Sequence, residues 1–162
     1  LKQIKDKINL LKLPSKRFQI RGEFARREII DDYAHHPSEI KATLDLGRLF
    51  IHKSMKNKRL VAIFQPHRYT RVSKFFKQFA KELSKADLII ITDIFSAGEI
   101  NNTGISTNSI ADQIYEKNKK VILLKDNNEI KKKFFSITKE GDLIINMGAG
   151  DCHNLWTLLN SK

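Results

Sequence analysis

The stretch that decides the fold is Ile30-Asp31-Asp32-Tyr33-Ala34-His35-His36-Pro37-Ser38-Glu39. An apolar lead-in runs into two acids, an aromatic hydroxyl and two imidazoles, and Pro37 then opens a segment with helical spacing. Packing in a core does not require this concentration of polar groups. A corner between a strand and a helix accounts for it, because open α/β proteins bind ligands at the carboxyl edge of the sheet. The stretch therefore predicts an α/β protein with a binding site at that edge.

The rest of the chain alternates between buried strands and amphipathic helices. Leu60–Phe64 is an uninterrupted apolar run, typical of a strand buried on both faces, and further buried strands are predicted at Leu88–Ile91, 121–124 and 142–145. Helical spacing follows Pro37, and also places Val72, Phe75, Phe76, Phe79 and Leu83 on one stripe; weaker helical patterns surround Ile110, Ile130 and Leu155. Two short alternating runs at 18–22 and 27–31 predict a β-hairpin. The pattern predicts a Rossmann-like three-layer α/β sandwich with a mostly parallel sheet.

The first fifteen residues do not fit this alternation. Ile4, Ile8 and Leu11 lie near one helical face and Pro14 ends the pattern, which predicts a short helix. Because a domain seldom begins so abruptly, we expect residues 1–15 to be a remnant of a preceding domain or linker. We expect residues 16–162 to form one C-terminal domain, a size that allows a well-buried core.

Composition limits the classes of protein to consider. The 30 Lys and Arg residues exceed the 18 Asp and Glu residues, for a net charge of +12, which makes a nucleic-acid partner worth considering. No basic stripe is interleaved with aromatic residues as in single-strand binders, so we favour a solvated basic surface and predict no nucleic-acid partner. One cysteine gives no disulfide framework and favours the cytoplasm. No apolar run approaches the roughly 20 residues of a membrane span, so no membrane insertion is predicted.

Two groups of polar residues favour anion or nucleotide binding. The first group is Asp31, Asp32, Tyr33, His35 and His36, in which a carboxylate could accept hydrogen bonds from ribose hydroxyls and an imidazole could contact a charged group; the alternative is a polar cap on the helix that Pro37 opens. A metal site there is possible, but the spacing is not diagnostic. Arg68 and Arg71, three residues apart after a buried strand, would share a face if the helix had already begun, and would form a clamp for carboxylate or phosphate. The alternative is a pair of ordinary surface arginines.

Two further groups carry weaker signals. Asp93 and Glu99 follow another buried strand and could line a pocket, although a strand-terminal Asp is also an ordinary cap. The turn Gly148-Ala149-Gly150 could cradle phosphate, but a single GxG more often reflects tight packing between a strand and a helix. The 162 residues contain no P-loop lysine motif, nucleophile elbow or Cys/His metal spacing. The chain by itself therefore carries no complete catalytic site.

Four motifs follow one another along the chain. They are Asp31-Asp32-Tyr33-Ala34-His35-His36-Pro37-Ser38-Glu39, Phe64-Gln65-Pro66-His67-Arg68-Tyr69-Thr70-Arg71, Asp93 with Ala97-Gly98-Glu99, and Gly141-Asp142 with Gly148-Ala149-Gly150. On these residues and their order, the chain resembles the C-terminal domain of the Mur ligases over about residues 14 to 160. Within the family it is most similar to the members of peptidoglycan synthesis that act on UDP-N-acetylmuramate and L-alanine.

This resemblance implies a three-domain enzyme. A UDP-binding N-terminal domain and a central P-loop ATPase domain would precede a Rossmann-like C-terminal domain that closes over the central one. With ATP and Mg²⁺, the enzyme would convert the muramoyl carboxylate into an acyl-phosphate, which the amine of L-alanine attacks to give an amide, ADP and phosphate. The central domain would hold most of the Mg²⁺ ligands. Because the P-loop lies outside these 162 residues, we expect the chain alone to hydrolyse no ATP and to form no peptide bond.

The resemblance also implies roles for six residues. Arg17, Asp32 and Tyr33 would contact ATP, whereas His35, Arg68 and Arg71 would bind the substrate. It assigns no catalytic residue and no metal ligand to this part of the enzyme. Two alternatives remain: the related ligase that attaches a recycled tripeptide to UDP-N-acetylmuramate, which is not expected to share Gln65-Pro66-His67-Arg68-Tyr69, and a basic nucleic-acid-binding module.

Overall fold

The computed structural model describes residues 17–54, 58–116 and 120–161. The helix predicted for residues 1–15 lies outside these ranges. The strands are β1 (Gln19–Phe24), β2 (Arg27–Asp32), β3 (Leu60–Phe64), β4 (Leu88–Ile91), β5 (Val121–Leu123) and β6 (Leu143–Met147). The helices are α1 (Pro37–Lys53), α2 (Tyr69–Leu83), α3 (Thr107–Tyr115), α4 (Asn127–Ile137) and α5 (Leu155–Asn160), the last preceded by a 3₁₀ turn at Cys152–Asn154.

Over the described residues, the strands form one sheet in the order β1-β2-β6-β3-β4-β5. Strands β1 and β2 are the antiparallel hairpin that the sequence predicts, and all other neighbours are parallel. The last strand, β6, lies between β2 and β3, and its terminal Met147 pairs with Asp32 on one side and Phe64 on the other. The carboxyl ends of β2, β6 and β3 are therefore adjacent, and the loops that follow them meet at one edge.

Helices cover both faces of the sheet, which confirms the predicted three-layer α/β sandwich. Helices α1, α2 and α3 pack side by side on one face, and α4 and α5 lie on the other. Successive strand residues enter opposite cores: Ile30 packs beneath α1 and α2, whereas Ile29 packs towards α4 and α5. Each fully buried Leu, Ile or Phe side chain contributes roughly 1.5–3 kcal/mol, so these cores are the main source of stability. Among the helices of the described ranges, none has the length and apolar character of a membrane span.

Candidate functional site

Asp32 ends β2 and organises the corner that follows it. Its side chain is buried, with 7% of the residue exposed, and both carboxylate oxygens accept backbone hydrogen bonds. Oδ2 accepts from the Phe18 N–H at 2.8 Å and Oδ1 from the Ala34 N–H at 2.7 Å. Asp32 therefore holds the start of β1 against the end of β2, and this places Arg17 beside the corner.

Arg17, Tyr33 and His35 form a cluster at this corner. The Arg17 guanidinium lies 5.8 Å from the centre of the Tyr33 ring, and the Tyr33 and His35 rings meet edge to face at 5.1 Å. Both Arg17 terminal nitrogens donate to Glu39 Oε1 at 3.2 Å, and His35 Nδ1 lies 2.8 Å from the Tyr33 carbonyl oxygen. The structure thus brings together three of the residues that the sequence predicts, around an exposed Tyr33 ring.

Glu39 is central to the corner, although the sequence analysis assigned it no site role. Its Oε2 accepts from the backbone N–H groups of His35 and His36. Burial raises the pKa of the Glu39 carboxyl, but the hydrogen bond from His35 and the positive charges of His35 and Arg17 outweigh burial and lower the pKa overall. The carboxylate is therefore ionised at neutral pH, and it joins the start of α1 to Arg17.

The two neighbouring histidines have separate roles. His36 is the N-cap of α1: its Nδ1 accepts from the Ser38 N–H, and Glu39 completes the capping box. Its ring packs edge to face on Phe75 of α2 at 5.0 Å. His35 points instead towards His67, with the ring centres 5.8 Å apart. For His36 the structure therefore supports the alternative of a polar cap on the helix that Pro37 opens, whereas His35 is the imidazole that faces the candidate site.

Arg68 and Arg71 do not share a helical face as the sequence analysis considered. Helix α2 begins at Tyr69, and Arg68 is its N-cap in the left-handed region, with φ of 69°. Within the described ranges, neither arginine forms an ion pair. Arg68 is exposed and Arg71 is half-buried. Both guanidinium groups are therefore available to an anion, as the clamp hypothesis requires, although the backbone presents them differently.

His67 connects the two motifs, and the sequence analysis did not select it as a site residue. Its ring stacks on Phe95 at 5.6 Å and touches His35, while its Nδ1 lies 3.3 Å from Arg71 Nη1. Burial, then the positive charges of Arg71, His35 and Arg68, lower the pKa of His67. The spacing of four residues between His67 and Arg71 was a signal for their contact, but the contact with His35 depends on how the strands pair.

The glycine turn after β6 serves close packing. A Cβ on Gly150 would clash with Gln65 Oε1 and would lie 2.7 Å from the Phe95 ring. Gln65 Oε1 accepts from the Cys152 N–H at 3.1 Å, and Gln65 Nε2 donates to Asp151 at 2.6 Å. Burial raises the pKa of the Cys152 thiol to about 12, so the thiol stays protonated. The packing interpretation of GxG is thus the one that the structure supports.

The sequence analysis considered a metal site in the opening stretch possible but assigned no metal ligand. Across residues 17–54, 58–116 and 120–161, no group of three or more His, Cys, Asp or Glu side chains is arranged to hold a metal ion. The Asp32 oxygens, which might otherwise serve as ligands, both accept backbone hydrogen bonds.

Comparison with known proteins gives a consistent family. The model of the Mur ligase, glutamate ligase domain, matches residues 16–150. A curated UDP-N-acetylmuramate–L-alanine ligase from Prochlorococcus marinus subsp. pastoris is 58% identical over 166 residues, covering 99% of this chain and 35% of that protein. A second one, from Prochlorococcus marinus strain NATL1A, is 47% identical over 99% of this chain and 35% of that protein. The chain thus spans about a third of the length of these curated relatives.

Solved structures show the same fold. The crystal structure of UDP-N-acetylmuramate-alanine ligase from Thermotoga maritima matches with a TM-score of 0.68 and 27% identity, over 89% of this chain and 29% of that one. A murein peptide ligase from Psychrobacter arcticus matches with a TM-score of 0.70 and 22% identity, over 90% of this chain and 29% of that one. At that identity the second match concerns the fold alone.

Proposed function

We propose that this chain, which belongs to the Mur ligase family, is the C-terminal domain of a UDP-N-acetylmuramate–L-alanine ligase. Residues 16–162 would form this domain, and residues 1–15 would belong to the preceding central domain or linker. The observation that carries the proposal is the contact between His35 and His67. This contact joins the Arg17–Tyr33 corner to the Arg68–Arg71 clamp, so residues assigned to ATP and to the substrate lie along one edge. The relatives of the same name, which match along 99% of the chain, support the choice of substrate.

In the proposed reaction the γ-phosphoryl group of ATP passes to the carboxylate of UDP-N-acetylmuramate. The amine of L-alanine then attacks the acyl-phosphate carbon, so a C–N bond forms, the C–O bond to phosphate breaks, and the amine loses a proton. Mg²⁺ would neutralise phosphate charge when bound, with ligands from the central domain. The reactants carry several negative charges, and the guanidinium groups of this chain suit them.

The residues of this chain would bind and position the reactants. Arg68 and Arg71 would hold the carboxylate of L-alanine or the phosphoryl oxygens, because neither forms an ion pair within the described ranges and guanidinium groups bind such anions in a fork. Arg17 and Tyr33 would contact the nucleotide, with Asp32 fixing the corner from which they project. His35 would approach the amino-acid end. No catalytic residue is proposed within this chain, and the proposed compartment is the cytoplasm.

The test is Arg68→Ala in the full-length enzyme. Loss of a charge-assisted contact costs about 1.5–3 kcal/mol, so we expect kcat/KM for L-alanine to fall about 10-fold to 150-fold. The measurement is L-alanine-dependent phosphate release in the presence of UDP-N-acetylmuramate and ATP. Arg26→Ala is a matched control, since Arg26 is exposed in the β1–β2 turn and pairs with Glu140. Wild-type turnover in Arg68→Ala would remove the assigned role.

The same assay distinguishes the proposed function from that of the related ligase that attaches a recycled tripeptide. Replacing L-alanine by the recycled tripeptide should give no phosphate release above background if the proposal is right. Turnover with the tripeptide and none with L-alanine would favour the alternative. Salt-dependent binding of nucleic acid, with affinity falling steeply as salt rises, would favour the basic binding module.

A further inference from the structure

The loop after β4 is attached to the loop after β3. The Phe95 N–H donates to the Pro66 carbonyl oxygen and the Arg68 N–H donates to the Phe95 carbonyl oxygen, each at 2.8 Å. The Phe95 ring also stacks on His67. Because the second of these hydrogen bonds uses the backbone of Arg68, the β4 loop helps to hold this residue in its left-handed conformation, which is costly for a residue with a side chain.

Glu99 makes the last contact between these loops. One carboxylate oxygen accepts from the Thr70 N–H at 3.1 Å and the other from the Thr70 hydroxyl at 2.7 Å. These two hydrogen bonds, and then the charge of Arg68, lower the pKa of the Glu99 carboxyl. Thr70 lies in the first turn of α2, where unpaired N–H groups carry a partial positive charge and favour an anion. Arg68, the N-cap, provides no side-chain cap, so Glu99 provides one from another loop.

Glu99 caps helix α2 without forming an ion pair with Arg68 or Arg71. Within the described ranges it forms no ion pair with Arg68 or Arg71, although its charge acts on Arg68. A carboxylate that paired directly with these guanidinium groups would compete with an anionic substrate. Capping through Thr70 instead fixes the turn from which both side chains project and leaves both guanidinium groups without a carboxylate partner.

We infer that Glu99 is a positioning residue for the amino-acid substrate, which caps α2 through Thr70 and thereby fixes Arg68 and Arg71 for carboxylate binding. The inference rests on the proposed function, because it assumes that the two arginines bind a carboxylate of the substrate. It adds a residue that does not touch the substrate. Removal of the Glu99 carboxylate should therefore raise the KM for L-alanine, since a loosened clamp binds the amino acid less well.

The experiment is a double-mutant cycle in the full-length enzyme. Glu99→Ala should raise the KM for L-alanine about tenfold, as loss of a helix cap and of two hydrogen bonds would loosen the clamp, while kcat changes less than about threefold. Thr70→Val, which keeps the shape and removes the hydroxyl, should raise this KM less. The double variant should be no worse than Glu99→Ala, since both changes remove the same contact. Glu99→Gln should restore most of the affinity, because an amide oxygen can still accept from the Thr70 N–H.

The controls separate this inference from the proposed function. If the wild-type enzyme shows no L-alanine-dependent phosphate release, the proposed function fails, and the inference that rests on it fails with it. If the wild type is active, any one of four results would overturn the inference. They are an unchanged KM for L-alanine in Glu99→Ala, a loss in that variant confined to kcat, additive effects of Glu99→Ala and Thr70→Val, and a Glu99→Gln variant as impaired as Glu99→Ala. Glu140→Ala, which removes an exposed glutamate of the Arg26 ion pair, should leave KM unchanged. A melting temperature within a few degrees of wild type shows that each variant is folded.

Discussion

One hydrogen bond determines which nitrogen of His67 carries the proton. A guanidinium group can only donate, so His67 Nδ1 must accept from Arg71 Nη1. The proton of the neutral ring then lies on Nε2, which leaves this N–H to donate at the site. Protonation of Nδ1 would replace the hydrogen bond by repulsion between two cations. Neutral His67 therefore helps to orient Arg71.

The pKa of His67 should lie below 6.5, the ordinary value for a histidine side chain. Burial is the largest cause, followed by the charges of Arg71, His35 and Arg68, whereas Glu99 acts weakly in the opposite direction. Since the folded pKa is lowered, the contribution of this residue to stability is present above about pH 6.5 and is lost as the pH falls below it, where the unfolded chain takes up the proton first. We expect the imidazole NMR signals of His67 to give a midpoint below 6.5, and Arg71→Ala to raise it. An unchanged midpoint in Arg71→Ala would contradict this account; Arg26→Ala serves as the control.

The role of a residue could be predicted from the sequence where the groups that it contacts are near it in the chain. His36 precedes Pro37 and caps the helix that Pro37 begins, so its neighbours revealed its role. His67 contacts His35 and Phe95, which are about thirty residues away on either side. Those contacts require the ends of β2, β3 and β4 to meet, and no local pattern reveals that. The roles assigned to Arg17, Asp32, Tyr33, His35, Arg68 and Arg71 stay predictions.

At the scale of the element, Glu39 should determine how firmly α1 begins. Glu39→Ala removes the acceptor for the N–H groups of His35 and His36 and the partner of Arg17. We expect the free energy of unfolding of the chain to fall by about 1–2 kcal/mol in urea at pH 7, as for loss of a helix cap. Because the folded pKa of Glu39 is lowered, its contribution is present above about pH 4.5 and the difference from wild type should shrink below it. Glu140→Ala, an exposed control, should cost less than about 0.5 kcal/mol; an equal loss in the two variants would contradict the capping role.

The buried strands were predictable because an uninterrupted apolar run must be covered on both faces. Leu60–Phe64 and Leu88–Ile91 were predicted with the bounds that the structure gives them. The start of α2 was harder to place, since Arg68 lies just before the helix with a positive φ, and an arginine gives no signal of that conformation as a glycine would. The position of β6 between β2 and β3 depends on pairing between distant segments, since Leu143 pairs with Glu28 in β2 and with Leu60 in β3. Strand order is a property of the whole chain.

At the scale of the whole molecule, cationic and aromatic side chains meet along the carboxyl edge of the sheet. The carboxyl ends of β2, β6, β3 and β4 support it, and Asp32, Gln65 and the His67–Phe95 stack join their loops to one another. Arg17, Arg68 and Arg71 contribute positive charge there. In the proposed enzyme, the P-loop that holds the phosphates and the ligands of Mg²⁺ would belong to another domain.

Because the P-loop is assigned to another domain, we predict that the 162-residue chain by itself will release no phosphate from ATP. Its arginines can bind anions, but the chain has no P-loop lysine motif, and positioning of the γ-phosphate together with charge neutralisation dominates phosphoryl transfer. The measurement is phosphate release by the chain alone, with ATP, Mg²⁺, UDP-N-acetylmuramate and L-alanine, against the full-length enzyme at equal concentration. Weak ATP binding by the chain that declines with added salt is compatible with this proposal, since exposed cations attract phosphate. Turnover by the chain alone would contradict it, because the catalytic phosphate site would then have to lie among residues that we assign only to binding and positioning.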